Sequence, residues 1–175
     1  MNELTQLHNQ MLATLGQHFD KKIDRIQVYS PSQSIESPAI YLGSHELTVE
    51  KQQWDGRHLL HSEWFALCVL SIQTPNVDIE IRQFATEIML VLNNHDKNRW
   101  SLADQVSEPK MIQSRPAIFN PDADGYEAWE VSWQQSLYIG DSIWLDEGTP
   151  PTTVLCSDAP EIGIPHEDDY RVISR

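Results

Sequence analysis

Hydrophobic side chains are densest between residues 63 and 72, and a segment with helical spacing follows directly. In Glu63-Trp-Phe-Ala-Leu-Cys-Val-Leu-Ser-Ile72 both alternating sets of side chains are apolar, which is typical of a central strand covered on both faces. Thr74 is positioned to cap a helix whose first residue is Pro75 and which runs to about Asn93. The apolar residues of this helix recur every three or four positions: Val77, Ile81, Phe84, Ala85, Ile88, Val91 and Leu92. The pattern therefore predicts a helix packed on a sheet.

The other periodic segments predict one more helix and further strands. Residues 2–19 have the spacing of an amphipathic helix, and residues 23–29 alternate weakly, as in a short edge strand. A strand is also expected within 111–119, where Pro116 favours an edge position because proline donates no ladder hydrogen bond. Residues 126–139 alternate most regularly and predict a half-buried strand.

Residues 39–72 predict a long β-hairpin that turns at Trp54-Asp-Gly-Arg57. Asp-Gly supplies the positive φ angles of tight hairpin turns, and a change of apolar phase after Gly43 indicates a bulge nearby. Each arm of about sixteen residues would span roughly 50 Å, against roughly 40 Å for a compact domain of this length. We therefore expect the polar tip, residues 46–58, to project as an arm toward a neighbour. The alternative is that both arms are shorter.

Periodicity ends at Ile139, and the last 36 residues differ in composition. They contain eight acidic residues against Arg171 and Arg175, and such a segment buries too little apolar surface to order itself alone. Its scattered hydrophobic residues favour docking, on its own surface or on a neighbour, over disorder. The prediction is an α+β core domain at 1–139, with a mixed or antiparallel sheet, a long hairpin and two main helices on the sheet. An extended acidic C-terminal tail or arm follows at 140–175.

Length and charge limit the classes of function. A chain of 175 residues with 40% hydrophobic content is long enough for one sizeable core. Its formal net charge of −14 argues against sequence readout of nucleic acid and against anionic membranes, since both require positive surface. Solubility and a basic protein partner both remain open as reasons for the charge. No segment has the roughly 20 apolar residues of a membrane span, and the start Met-Asn-Glu-Leu-Thr lacks a secretory signal, so assembly in a cytoplasm is expected.

Two short motifs contain metal-ligand residue types, but neither predicts a metal site. Asn120 to Gly125 resembles the first half of a calcium loop, yet the position that requires a bidentate glutamate is Val131. His166-Glu-Asp-Asp169 lies in the proline-rich tail without a rigid frame. His58 and His61 are three residues apart, a spacing that places them on opposite faces of a strand.

Catalytic and cofactor motifs are also missing from the sequence. There is no Gly-x-Ser-x-Gly elbow, phosphate loop or dinucleotide glycine pattern. Cys68 is expected in a buried strand, which is not the setting of a nucleophile, and Cys156 lies in the tail, so both are interpreted as free thiols. Trp64, Trp129 and Trp133 are interpreted as core or interface residues rather than a stacking platform. No catalytic residue, cofactor or metal is therefore expected.

Three segments carry a family resemblance: Pro38-Ala-Ile40 entering the sheet, Gly125-Tyr-Glu-Ala-Trp-Glu-Val-Ser-Trp133, and Ala159-Pro-Glu-Ile-Gly-Ile-Pro-His-Glu-Asp-Asp-Tyr170. With the order of elements around them, they resemble the tail terminator, or tail completion, proteins of long-tailed bacteriophages, particularly the Mu-like group. The resemblance implies a structural subunit, without catalysis, of a homo-oligomeric ring, a hexamer, in the virion tail. It would sit at the head-proximal end of the tail tube, end tube growth, and contact the tail tube protein and a neck or head-completion protein.

The predicted interaction residues lie in the two segments outside the compact core pattern. They are Glu50, Lys51, Trp54, Asp55 and Arg57 at the hairpin tip and Trp144, His166 and Tyr170 in the tail. The alternative from another class is a small cytoplasmic ligand-binding module or enzyme with a pocket between helix and sheet. That reading requires polar groups that converge at strand ends, which the sequence shows only as scattered residues.

Overall fold

The computed structural model describes residues 3–20, 22–23, 25–94, 99–103, 105–117, 125–143, 153, 155–160 and 162–172, with the backbone alone described at Lys51. The contacts divide the chain into two units, Met1–Ser142 and Ile143–Arg175. The first unit is a mixed five-stranded sheet with two main helices, and the second contains a small sheet. The predicted α+β fold class is confirmed.

The first unit contains seven elements in the predicted order. They are α1 (Glu3–His18), β1 (Arg25–Val28), β2 (Ala39–Gln52), β3 (His58–Ser71), α2 (Val77–Leu92), β4 (Lys110–Pro116) and β5 (Tyr126–Ile139). The strand order is β1-β2-β3-β5-β4, with β1 parallel to β2 and every other pair antiparallel. β3 is therefore the central strand, and β1 and β4 are the edges, as the sequence predicts.

The long hairpin forms, but it is not a free arm. β3 pairs with β5 along its whole length, from Ser71↔Tyr126 to His58↔Ile139, so the expected projection as a two-stranded arm is wrong. The predicted bulge is confirmed between Ser44 and Glu46, two residues beyond Gly43. β1 pairs only with residues 39–42, which leaves the rest of β2 at the edge of the sheet.

Both helices pack on one face of the sheet because each carries a single apolar stripe. The buried side chains on this face come from both helices and three strands: Leu7, Met11, Leu15, Ile81, Phe84, Ile88, Ile40, Leu42, Trp64, Ala66, Cys68, Val131, Trp133 and Leu137. The start of α2 differs from the prediction. The helix begins at Val77 after Asn76, which has a φ of 54° and makes no side-chain cap, so Thr74 and Pro75 precede the helix and the predicted capping by Thr74 is wrong.

One buried polar group organises the tryptophans on this face. The amide oxygen of Gln135 accepts hydrogen bonds from Trp100 Nε1 at 2.9 Å and Trp133 Nε1 at 3.3 Å. Its amide nitrogen donates to the carbonyl oxygen of Ser107 at 2.7 Å. Because a buried indole N–H without a partner is costly, Gln135 allows two tryptophans to be buried beside each other.

On the opposite face of the sheet, called here the open face, the described residues of the first unit form a cover near one end. Its smaller apolar cluster contains Ala39, Tyr41, Phe65, Leu67, Val69 and Ala128, with Tyr29 and Ile35 from the loop after β1 packed against it. The loop is tied down by Tyr41, whose hydroxyl accepts a hydrogen bond from the backbone N–H of Glu36 at 2.7 Å. The open face beyond this cluster carries mainly polar side chains.

The described residues of the second unit form two short strands and one short helix. β6 (Leu155–Cys156) pairs antiparallel with β7 (Arg171–Val172), and a short 3₁₀ helix, Ile164–Asp169, lies between them. Gly163 before that helix has a φ of 93°. Part of the segment predicted as an extended tail therefore folds back on itself.

Candidate interaction surface

The hairpin turn is fixed by a network around Asp55. The loop 53–57 is closed by backbone hydrogen bonds from Gln53 N–H to the Arg57 carbonyl at 2.7 Å and from Gly56 N–H to the Gln53 carbonyl at 3.0 Å. Asp55 is buried and accepts from Arg57 Nε at 2.8 Å and Nη2 at 2.7 Å. Only Gly56 in this loop has a positive φ, of 88°, so the turn is longer than the tight Asp-Gly turn predicted.

The same network anchors the turn to the sheet. The Arg57 guanidinium lies 4.4 Å from the ring centroid of Tyr138 on β5, a favourable cation–π position. The hydrogen bonds from Arg57 hold the pKa of the Asp55 carboxyl below its usual value. Asp55 and Arg57, predicted as contact residues, therefore hold the turn in one conformation.

Large apolar side chains are exposed around this turn. Trp54 is 81% exposed, and Val49 and Leu47 on β2 are 60% and 47% exposed. Exposed apolar side chains on the last part of β2 and on the turn are candidates for contact with a partner. We call residues Leu47, Val49 and Trp54 the tip patch.

The other predicted contact residues are divided between the two units. Glu50 lies on β2 at the tip, and Lys51 follows it there in the backbone. Trp144 lies outside the described residues. In the second unit, His166 Nδ1 lies 3.0 Å from Asp169 Oδ2, and the Tyr170 hydroxyl accepts from Gly163 N–H at 2.9 Å. The tail residues thus make local contacts that shape their own turn.

The open face brings together Ser136, His61 and Glu50, of which Glu50 alone is among the predicted interaction residues. His61 Nδ1 lies 2.6 Å from Ser136 Oγ, and His61 Nε2 lies 2.9 Å from Glu50 Oε1. The three residues stand on β5, β3 and β2, and His61 and Ser136 line a cavity of about 420 Å³. The signal in the sequence is weak because only the register of three strands makes them neighbours.

The serine, histidine and carboxylate are connected in the same order as in a hydrolase triad, but the other features of a hydrolase site are not met. A triad serine needs oxyanion donors and a site shielded from water. The backbone N–H of Ser136 is bonded to Ser107 Oγ at 2.9 Å, and its carbonyl accepts from Ser107 N–H at 2.9 Å. His61 and Glu50 are each about half exposed. We interpret the three residues as a polar contact that holds β2, β3 and β5 in register.

A second depression on the open face is a groove of about 910 Å³. Phe65 and Leu67 of β3 and Gly43 of β2 form its floor, and Tyr29 and Ala117 border it from opposite sides. The imidazole of His45, placed by the bulge in β2, stacks on Phe65 with ring centroids 4.5 Å apart. The groove is therefore an aromatic-floored site in the middle of the sheet. It was not foreseen from the sequence.

A single carboxylate organises the polar side of the groove. Glu130 of β5 accepts from Arg115 Nη2 at 2.7 Å and lies 3.2 Å from His45 Nε2. Glu130 is 13% exposed, whereas the Arg115 side chain is 59% exposed. The groove thus presents a guanidinium and an imidazole at its rim, on a chain whose net charge is strongly negative.

Metal and thiol chemistry find little support among the described residues. Within that part of the chain no three His, Cys, Asp or Glu side chains group as metal ligands, and the calcium-like motif 120–124 lies outside it. Cys68 is buried and Cys156 is half-buried, and both are free thiols. Burial raises the pKa of the Cys68 thiol well above its ordinary value, which removes its nucleophilic form.

Comparison of the sequence with protein-family models and with curated proteins finds no match. The site must therefore be interpreted from its own geometry. Within the described residues, neither helix has the length and apolar character to cross a membrane. The tip patch and the groove are two surfaces among the described residues of the first unit whose composition suits a protein contact.

Proposed function

We propose that the protein is a bacteriophage tail terminator: a structural subunit that forms a ring, a hexamer, on the head-proximal end of the tail tube and stops tube growth. The observation that carries this proposal is the pairing of an exposed tip patch with a separate groove on the same subunit. The family resemblance of the sequence supplies the biological setting. The tail tube protein and a neck or head-completion protein are the proposed partners.

Two different surfaces on one subunit are what ring formation requires. When one patch of a subunit binds a different patch of the next, the contact is heterologous, and it closes into a ring if the rotation per subunit completes a circle. A closed ring has no free end in its plane. Its two faces remain available, one for the tube and one for the neck, which is how such a ring terminates a polymer.

The charge of the chain predicts how this ring depends on salt. Each subunit carries a formal net charge of −14, so subunits repel one another until salt or a partner screens them. The Debye length falls from about 30 Å at 0.01 M salt to about 10 Å at 0.1 M. Ring formation is therefore expected to be favoured by raised salt or by the tube end.

The test of the function is deletion of the gene from the particle-producing strain that carries it, followed by electron microscopy of the tails. Overlong tails, or tails that lack heads, are expected, and a plasmid copy of the wild-type gene should restore normal length. Tails of normal length correctly joined to heads in the deletion strain would overturn the proposal.

A ligand-binding module is the second candidate, and the groove itself favours it. Its volume of about 910 Å³ lies within the range of roughly 300–1,000 Å³ usual for small-molecule sites, and its apolar floor with a few polar groups is typical of them. The two functions differ in the state of the purified protein. Rings seen by light scattering and negative-stain microscopy favour the terminator, whereas a monomer at every concentration and salt favours the module.

A further inference from the structure

We propose that the ring contact is formed by Trp54 of one copy, which inserts into the groove over Phe65 of the next copy. This inference rests on the proposed function, because it names the surfaces through which the subunits would associate. It commits the groove to a second copy of this chain as its occupant. Four features support this contact: the distance from the tip to the groove within one subunit, the aromatic lining of the groove, the charges on the two surfaces, and the fixed conformation of the turn.

The tip cannot fill the groove of its own subunit. His58, where β3 leaves the turn, and Phe65 on the groove floor are seven positions apart on one strand. At about 3.3 Å per residue these positions are about 23 Å apart. β3 is paired on both sides over this stretch, so it cannot fold back. Only another copy can bring a Trp54 side chain to the groove.

The groove is suited to an aromatic side chain. Phe65 is 8% exposed, with His45 stacked on its ring and Tyr29 edge-on to it, so an entering aromatic side chain would contact the rings of His45 and Tyr29 around Phe65, and aromatic pairs favour such contact beyond area burial. Its volume of about 910 Å³ is larger than one indole requires.

Charge favours the same pairing. The exposed cationic groups at the groove rim are Arg115 and, when protonated, His45. The strand that leads to Trp54 carries Glu46 and Glu50 on its exposed face. Arg115 is already paired with Glu130, and Glu50 with His61, so charge contributes to this contact through the approach of the exposed Glu46 to the Arg115 guanidinium, which is 59% exposed.

The turn is also held ready for binding. The ion pair between Asp55 and Arg57, the stacking of Arg57 on Tyr138, and a hydrogen bond of 2.7 Å from Gln52 Nε2 to the Gly56 carbonyl fix the loop that carries Trp54. A loop already ordered in its bound conformation loses less entropy on association. Trp54 is thus placed as an anchor residue, of the kind that dominates protein interfaces.

The experiment uses three full-length variants and sedimentation velocity at raised salt. Trp54→Ala removes the anchor, Ala117→Trp fills the groove from its side, and Leu90→Ala removes an exposed side chain of 64% exposure on α2 as the matched control. Trp54→Ala is expected to weaken self-association at least about 30-fold, the effect of a hot-spot residue, and Ala117→Trp to weaken it similarly. Leu90→Ala should associate as the wild type does.

Mixing the two defective variants provides the sharper test. Trp54→Ala retains an intact groove and Ala117→Trp retains an intact tip, so their mixture should form a heterodimer and nothing larger. Unchanged association of Trp54→Ala, no heterodimer in the mixture, or a wild type that stays monomeric at millimolar concentration and raised salt would each overturn the contact.

The contact and the function fail in distinguishable ways. Rings that persist in Trp54→Ala would refute the contact while termination could still be seen in the gene deletion. Normal tails in the deletion strain, together with rings that depend on Trp54, would refute termination and leave the contact intact.

Discussion

The ring of Phe65 lies directly over Gly43 on the adjacent strand. The two residues are register partners, and a Cβ added at Gly43 would lie 2.5 Å from Phe65 Cζ and 2.7 Å from Cε1. Glycine in a strand interior is normally unfavourable, but here it leaves the space that an aromatic neighbour covers. The pair forms the floor of the groove, so the shape of the groove depends on the lack of a side chain at residue 43.

Gly43→Ala should lower stability, because the Phe65 ring must move to accommodate the new methyl group. We expect a loss of about 1–3 kcal/mol, the usual cost of overpacking, measured by urea unfolding. Gly16→Ala is the matched control, since nothing lies within 4 Å of a Cβ at that helical position, and it should gain roughly 0.5–1 kcal/mol. Equal effects in the two variants would contradict the contact.

Gln135→Leu should be strongly destabilising, although it replaces a polar residue by an apolar one in a buried position. The substitution leaves the indole N–H groups of Trp100 and Trp133 without their acceptor, at about 1–3 kcal/mol for each buried group. Gln134→Leu, at the exposed neighbouring position, should change stability by less than about 0.5 kcal/mol. Chemical unfolding followed by tryptophan fluorescence measures both, and near-equal values would refute the role of Gln135.

His8 should make stability decrease in mild acid. Its ring lies edge-on to Trp64 at 4.9 Å, its Nε2 makes no hydrogen bond within the described part of the chain, and burial lowers its pKa below 6.5. Below pH 6.5 the unfolded chain therefore binds a proton that the folded chain resists, and stability falls as the pH approaches the folded pKa. His8→Phe should remove this part of the pH dependence of Tm. Identical pH profiles for the variant and the wild type would contradict it.

Asp55 should stabilise the fold at neutral pH and lose this effect in acid. Its folded pKa is below the ordinary value of 3.8, mainly because of the hydrogen bonds from Arg57. The stabilisation is therefore complete above that value and disappears as the pH falls through the folded pKa. Asp55→Asn should lower Tm at pH 7, and the difference from the wild type should shrink below pH 3.8. A double-mutant cycle with Arg57→Gln isolates the pair, and additive effects would count against it.

A variant that ends at Ser142 should remain folded. Every residue of the two described core clusters lies at or before Ile139, and the contacts divide the chain at Ser142. Cooperative thermal unfolding and the near-ultraviolet signal of the buried tryptophans are expected to persist. Loss of that signal, or an insoluble product, would show that the first unit needs the second.

The sequence predicts the helices and strands well because their hydrophobic periods are long and regular. The seven consecutive apolar residues 64–70 identify the central strand, and the stripe of α2 identifies its packing face. The sequence pattern does not predict the start of α2 correctly. Thr74 followed by Pro75 is a typical helix start, and nothing in the sequence indicates that Asn76 has a left-handed backbone and that the helix begins after it. The sequence predicts a hairpin without a third strand at its tip, because nothing in the residues of β3 indicates that β5 pairs with β3 along its whole length.

The candidate surfaces were predicted less completely. The exposed position of Trp54 follows from a polar turn, but the groove unites Gly43, Phe65, Arg115 and Glu130, which are distant in the chain. Only the strand order and register bring them together. The role of Gln135 is also not predictable from the sequence. A lone polar residue between Trp133 and Leu137 interrupts the apolar pattern, and only the structure shows that it accepts hydrogen bonds from two indole N–H groups.

The unequal covering of the sheet has a consequence for how the sequence can change. Substitutions on the helix-covered face change the stability of the fold. Most substitutions on the open face change only which partner the surface can bind. Related proteins can therefore evolve to bind different partners through substitutions at the open-face positions of β2, β3 and β5. On β5, for example, Glu130 and Gln134 lie on the open face and can diversify, while their neighbours Val131 and Trp133 remain under the constraint of the core.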